Sequence, residues 1–144
     1  MARMNDREEA AWVGFLRAQR HVLEKLEAEL RAEHSLSLSE FEVLLHLNNA
    51  PRNALRMKEL AANVLVTPSG LTRLADRMVK QGLIARETCP SDRRGYFLVL
   101  TASGRERYEA ASPTHFRGVS DHFVRFLGDD ASVVAEALGR IAAS

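Results

Sequence analysis

At 144 residues, the chain is long enough for one substantial hydrophobic core and too short for two independent ones. Hydrophobic residues make up 46% and charged residues 27%, the balance of a water-soluble globular domain, and no apolar run reaches the length of a membrane span. The net charge of +1 points to no polyanion by itself, yet it is unevenly spread. Thr67 to Gly95 carries six basic against three acidic residues, a local +3 that leaves −2 for the remainder. An acidic body with one basic segment suits a protein that meets a polyanion through a patch. The start, MARMNDREEAAW, holds acids instead of the apolar core of an export signal, and a single cysteine, Cys89, cannot close an internal disulfide. Cytoplasm is the expected compartment.

From about Asp6 to Glu33, Asp6 with Glu9 three residues later reads as a capping-box variant, and Trp12, Phe15, Leu16, Leu23, Leu26 and Leu30 recur at helical spacing. The helix this predicts is roughly 40 Å long. A core of this size cannot cover it from one side, so a partner subunit is the expected cover. Ser39 with Glu42, and Leu38 placed to staple onto Val43, predict a second helix over Glu40 to Asn49. Ala50-Pro51-Arg52-Asn53 reads as a break, after which Met57 to Asn63 forms a short helix with Leu60 and Ala61 inward.

Only Val64 to Val66 separates that helix from the next start signal. Thr67 is a good N-cap, and Pro68 suits a first helical turn because its missing N–H has no partner there. Leu71, Leu74, Ala75 and Met78 then fall on one face, with Ser69, Thr72, Arg73, Asp76, Arg77 and Lys80 opposite. Small hydroxyls allow close approach, and arginines bond phosphate or the guanine edge. Taken alone the segment is an ordinary amphipathic surface helix; preceded by a short helix and a tight turn, it reads as the recognition helix of a helix-turn-helix.

After Gly82, a plausible residue to end that helix, the period shifts toward 2. Leu83 to Thr88 and Tyr96 to Thr101 predict two strands around a loop, Cys89 to Gly95, whose tip carries Asp92, Arg93 and Arg94. A helix-turn-helix followed by such a hairpin is a winged helix, and arginines at an exposed tip suit a narrow minor groove. Thr101 caps a helix over Ala102 to about Ala111, interrupted at Ser112-Pro113. An amphipathic run from His115 to Leu127 follows, broken by Gly128-Asp129, and a last helix, Asp130 to Ala143, carries Val133, Val134, Ala137, Leu138 and Ile141 on one side.

With these elements in place, the sequence resembles the MarR family of bacterial winged-helix regulators over nearly its whole length. The resemblance rests on Lys58-Glu59-Leu60-Ala61, Pro68-Ser69-Gly70-Leu71-Thr72-Arg73, Gly82-Leu83-Ile84 and Asp92-Arg93-Arg94-Gly95, running into Leu100-Thr101-Ala102-Ser103-Gly104. Any one alone is weak; their order and spacing together are specific. The resemblance implies a single domain over 1–144 that is mainly α with a small β-hairpin wing. Its winged helix-turn-helix would cover 35–101, and 1–34 with 102–144 would supply helices that interlock in a homodimer.

It further implies binding to double-stranded DNA at a pseudo-palindromic operator, as a repressor usually controlled by a small aromatic or phenolic ligand. The DNA-facing set is Thr67, Pro68, Ser69, Thr72, Arg73 and Arg77 on the recognition helix. On the wing, Asp92 steadies Arg94 toward the minor groove and Arg93 meets phosphate. Two features depart from the family: Arg56 stands where many relatives have a capping Ser or Thr, and Val64-Leu65-Val66 lacks the glycine often seen in the turn.

Other residues carry weaker claims. Cys89 reads as a structural thiol beside the wing, since sensing would require a depressed pKa. His115 and His122 are seven residues apart, about 10 Å along a helix, too far to share a metal ion; no metal or cofactor is expected. Trp12, Phe116, Phe123 and Phe126 read as dimer core before effector pocket. No nucleophile elbow, P-loop or dinucleotide motif occurs, so an enzyme is not expected. The alternatives to a DNA-binding regulator are a winged-helix protein-interaction module and a ligand-binding protein without a DNA role.

Overall fold

The computed structural model describes residues 3–89 and 91–144, and of residues 92–94 the backbone only. Helix α1 runs over Asp6–His34, 29 residues, about 43 Å at the usual helical rise. Its cap is Asn5, whose side chain accepts from the Arg7 and Glu8 N–H groups while Glu8 returns a bond to the Asn5 N–H. The expected cap at Asp6 with Glu9 lies one residue too late. Helix α2, Leu38–Asn49, repeats the lesson: Ser37 and Glu40 form the capping box, not Ser39 and Glu42. This earlier frame places Leu36, before the cap, and Phe41, four residues beyond it, in full burial as a hydrophobic staple.

A tight turn, Pro51–Asn53, holds both Arg52 and Asn53 at positive φ, and the Asn53 side-chain amide secures it by donating to the Leu47 and Asn48 carbonyls. The chain then enters a strand absent from the sequence reading, β1 at Ala54–Arg56. Helix α3 is Met57–Ala61, shorter than expected, and its cap position, Arg56, makes no side-chain capping bond. Helix α4, Pro68–Lys80, begins at the expected cap, Thr67, and buries Leu71, Leu74, Ala75 and Met78, the four residues of its predicted apolar face. It ends with Gly82 at φ +75°, where the Gly82 N–H donates to the Val79 carbonyl and the Leu83 N–H to the Met78 carbonyl. Those two bonds are a Schellman closure, which a glycine in the left-handed region makes without strain.

Strands β2, Ile84–Cys89, and β3, Asp92–Leu100, are antiparallel, and β1 pairs with the other edge of β3, so the described sheet has the order β1-β3-β2. The loop expected over Cys89 to Gly95 is thus mostly strand: pairing continues to Cys89 with Asp92, beyond a bulge between Thr88 and Cys89. Helix α5, Ala102–Val119, opens at Thr101 and passes through Pro113 without the expected interruption. Pro113 is exposed, so water can satisfy the carbonyl it leaves without a donor. A wider turn, Ser120–Val124, and helix α6, Arg125–Leu127, extend the same rod before Gly128–Asp130 breaks it. Helix α7 is Ala131–Ala142.

The core gathers Leu26 and Leu30 of α1, Phe41, Leu44 and Leu47 of α2, Leu60 of α3, the apolar face of α4, and Ile84, Leu98 and Leu100 of the sheet. Polar contacts fasten α5 and the turn that follows it to α1. His122 Nε2 lies 2.6 Å from Glu29 Oε1, His34 Nε2 lies 2.7 Å from Thr114 Oγ1, and the Thr114 hydroxyl also donates to Glu33 at 2.7 Å. That hydroxyl, followed by the Arg117 guanidinium, holds the Glu33 carboxyl below its ordinary pKa. A side chain at Gly118 would meet Glu29 Oε2 at 2.5 Å, so glycine sets how closely the two helices approach.

Candidate nucleic-acid interface

The outward face of α4 follows from its own sequence. Thr67 Oγ1 accepts the Gly70 N–H at 3.1 Å, and a Cβ at position 70 would sit 3.0 Å from that oxygen, so Gly70 leaves the cap its room. Because Pro68 has no N–H and the cap holds that of Gly70, the first turn leaves the Ser69 N–H without a partner in the helix. Pro68 is the first residue of the helix, and Ser69 is exposed beside it, 3.4 Å from Thr67 Oγ1. Thr72 donates its hydroxyl hydrogen back to the Pro68 carbonyl at 3.2 Å, which leaves its oxygen lone pairs facing solvent as acceptors. Arg73 and Arg77 follow on the same face, both exposed.

These two guanidiniums differ from the neighbouring arginines. Arg86 of β2 forms an ion pair with Asp76 of α4 and lies over the Tyr96 ring at 5.5 Å. Arg56 lies over the Phe97 ring at 5.4 Å and donates to Cys89 Sγ at 3.3 Å. Arg73 and Arg77 engage no other described residue. Within the basic segment Thr67 to Gly95, Arg86 is thus engaged internally, while the guanidiniums of Arg73 and Arg77 face solvent. The side chains of Asp92, Arg93 and Arg94, assigned to the wing by resemblance, lie outside the described residues.

A second missed feature is the support for the turn before α4. Glu42, expected to cap α2, instead accepts the Leu65 N–H at 3.3 Å, and burial pushes its carboxyl above the ordinary value. No local pattern reveals that bond, because its ends are 23 residues apart. Cys89 is buried between Arg56 and Ser91, whose hydroxyl oxygen lies 3.2 Å from its sulfur. His115 stacks on Phe41 at 4.4 Å between ring centroids, with Nδ1 buried and without a hydrogen-bond partner, and burial lowers its pKa. Among the described residues no three His, Cys, Asp or Glu side chains are grouped to hold a metal ion, and no helix is long and apolar enough to cross a membrane.

A short helix, a tight turn, a second helix with its polar face in solvent, and a three-stranded hairpin sheet beside it define a winged helix-turn-helix protein. Residues 34–95 match the model of the MarR family. The fold agrees with the crystal structure of AbsC, a MarR family transcriptional regulator from Streptomyces coelicolor, at a TM-score of 0.90 and 33% identity, covering 99% of this chain and 96% of that one. Sco3205, a MarR family regulator from the same organism solved in complex with DNA, matches at a TM-score of 0.90 and 29% identity, covering 99% and 90%. The HTH-type transcriptional repressor YetL of Bacillus subtilis is 32% identical over 109 residues, 68% of this chain; the match spans 65% of YetL, just under two thirds of its length. The chain belongs to the MarR family of transcriptional regulators.

Proposed function

We propose that this protein is a homodimeric, ligand-responsive repressor that binds a pseudo-palindromic site on double-stranded DNA. The observation that carries the reading is the solvent-facing row Ser69, Thr72, Arg73 and Arg77 on a helix capped by Thr67 and Pro68. In this reading the first turn of α4 meets a phosphate through Thr67, Pro68 and Ser69, and Arg73 and Arg77 reach base edges or backbone in the major groove. The wing, with Asp92, Arg93 and Arg94, follows the adjacent minor groove. The complex of Sco3205 with DNA lends this placement support.

Two copies are required because half-sites in successive major grooves lie roughly 34 to 36 Å apart. Residues 1–34 and 102–144 supply the dimerisation helices around the unit 35–101. Their open apolar side chains support this, among them Trp12, Phe15, Phe126 and Ile141. A small aromatic effector at the junction between these helices and the winged helix would alter the spacing of α4 and its twin, releasing both half-sites together. An apolar cleft of about 240 Å³ among the terminal helices themselves, bounded by Phe15, Val22, Leu23, Phe123 and Leu138, is large enough for one aromatic ring. The work of such a protein is regulatory, not enzymatic, and its place is the cytoplasm, where the DNA is.

A mobility shift with the DNA upstream of the protein's own gene tests the reading. A discrete complex that survives excess nonspecific DNA is expected, and a complex lost equally to any competitor would refute sequence-specific recognition.

A further inference from the structure

We propose that Arg56, at the end of β1 and just before α3, is a positioning residue that sets the angle of the wing. It rests on the DNA-binding reading above only in what the angle is for. Arg56 ends β1 and pairs with Phe97 of β3, and Phe97 pairs on its other side with Glu87 of β2. This row is the last one in which the sheet has three strands. Beyond it β2 and β3 continue alone as a two-stranded projection, through a bulge between Thr88 and Cys89. The register jumps one pair beyond that row, from Thr88 with Tyr96 to Cys89 with Asp92, and two strands alone hold their direction poorly.

Arg56 stands at that root and touches both strands. Its guanidinium covers the Phe97 ring at 5.4 Å and donates to Cys89 Sγ, at the bulge, at 3.3 Å. The same residue immediately precedes α3 and offers it no capping bond, so its side chain is committed to the sheet instead. One guanidinium therefore links the start of the helix-turn-helix to both strands of the projection at the point where it would swing. Lysine keeps the charge and a donor but lacks the broad guanidinium that reaches the ring and the sulfur at once.

The test compares Arg56→Met, which keeps much of the stem, and Arg56→Lys, which keeps the charge, with wild type. In the free protein, amide exchange of residues 91 to 96 is expected to speed up in both variants by about twofold to tenfold, the range that one exposed cation–π contact and one hydrogen bond can hold. The amides of α4 should be unchanged. On DNA, affinity should fall by a similar factor at unaltered slope of log Kd against log salt, whereas loss of a phosphate contact would lower the slope by about 0.9. Phe97→Leu, which removes the ring beneath the guanidinium, should give the same local exchange and add little in combination with Arg56→Met, and it serves if Arg56→Met folds poorly.

Unchanged exchange at residues 91 to 96 in Arg56→Met and Phe97→Leu would overturn the proposal, as would a salt slope reduced in Arg56→Met and restored in Arg56→Lys. Faster wing exchange in a protein whose wild type binds no DNA would sustain the bracket and refute the DNA-binding reading instead.

Discussion

The winged-helix unit and the terminal helices treat apolar side chains in opposite ways. Between α2 and β3, Phe41, Leu44, Leu47, Leu60, Met78 and Leu98 are all fully buried within one chain. On the terminal elements, Phe126, Val133 and Ile141 remain 72%, 67% and 70% exposed, although α7 has a clear apolar face. The first region closes its own core; the second leaves its apolar faces uncovered by the chain. An apolar stripe thus says where burial is wanted, and only the packing says whether one polypeptide supplies it.

The largest expected effect tests the self-contained region. Leu44→Ala removes a fully buried side chain at the centre of the core and should cost about 2–5 kcal/mol of stability by urea denaturation. Ile141→Ala should leave folding of the winged-helix unit nearly intact. Similar losses from both would erase the contrast. Next comes assembly: Ile141→Asp places a charge on the open face of α7, and burial of such a side chain gives about 1.5–3 kcal/mol, counted twice across a two-fold axis. Sedimentation should show the dimer dissociating at concentrations about two to four orders of magnitude higher than wild type. A wild type that sediments as a monomer throughout would break the comparison outright.

Smaller still, and confined to function, is Arg73→Ala. With no structural partner to lose, it should leave thermal stability unchanged and weaken operator binding by about 1–3 kcal/mol with relaxed base preference. Fluorescence anisotropy on the operator and on point variants of it checks this. An equal loss on every sequence would restrict Arg73 to phosphate. Arg86→Ala makes the contrasting case: its partner Asp76 is on α4 itself, so some stability should be lost together with affinity.

The legibility of these parts in the sequence follows the distance over which each is determined. The α4 face was readable residue by residue, since cap, Pro68 and apolar period lie within four turns and agree with one another. Caps slipped where two overlapping frames both fit: Ser37 with Glu40 and Ser39 with Glu42 are equally good boxes, and the choice falls to the one that buries Leu36 and Phe41. Strand β1 was invisible because three residues give no period, and its partners Val99, Leu98 and Phe97 lie more than forty positions away. Pro113 was read as a break because a helix that carries proline on its wet side cannot be told from one that stops there. The roles of Arg56 and Arg86 are hidden for the same tertiary reason: in the sequence Arg56 is only a departure from the family's cap, and Arg86 only a positive charge.

The smallest expected effect concerns the seam between the two regions, where His115 of α5 lies on Phe41 of α2. Burial disfavours its charged form and lowers its pKa from the ordinary 6.5, with Nδ1 given no partner that would reward protonation. The unfolded chain therefore binds this proton more readily than the folded one. Stability is unaffected well above pH 6.5, declines as pH falls below it, and stops declining once the folded-state value is passed. His115→Leu should flatten that part of the urea midpoint against pH, since leucine keeps an apolar contact with Phe41 and takes up no proton. Phe41 belongs to the self-contained core while α5 leads to the open helices, so the cost of protonating His115 falls on the contact between them. A midpoint curve between pH 7 and 5 that is as steep in His115→Leu as in wild type would show that the acid sensitivity does not arise at His115.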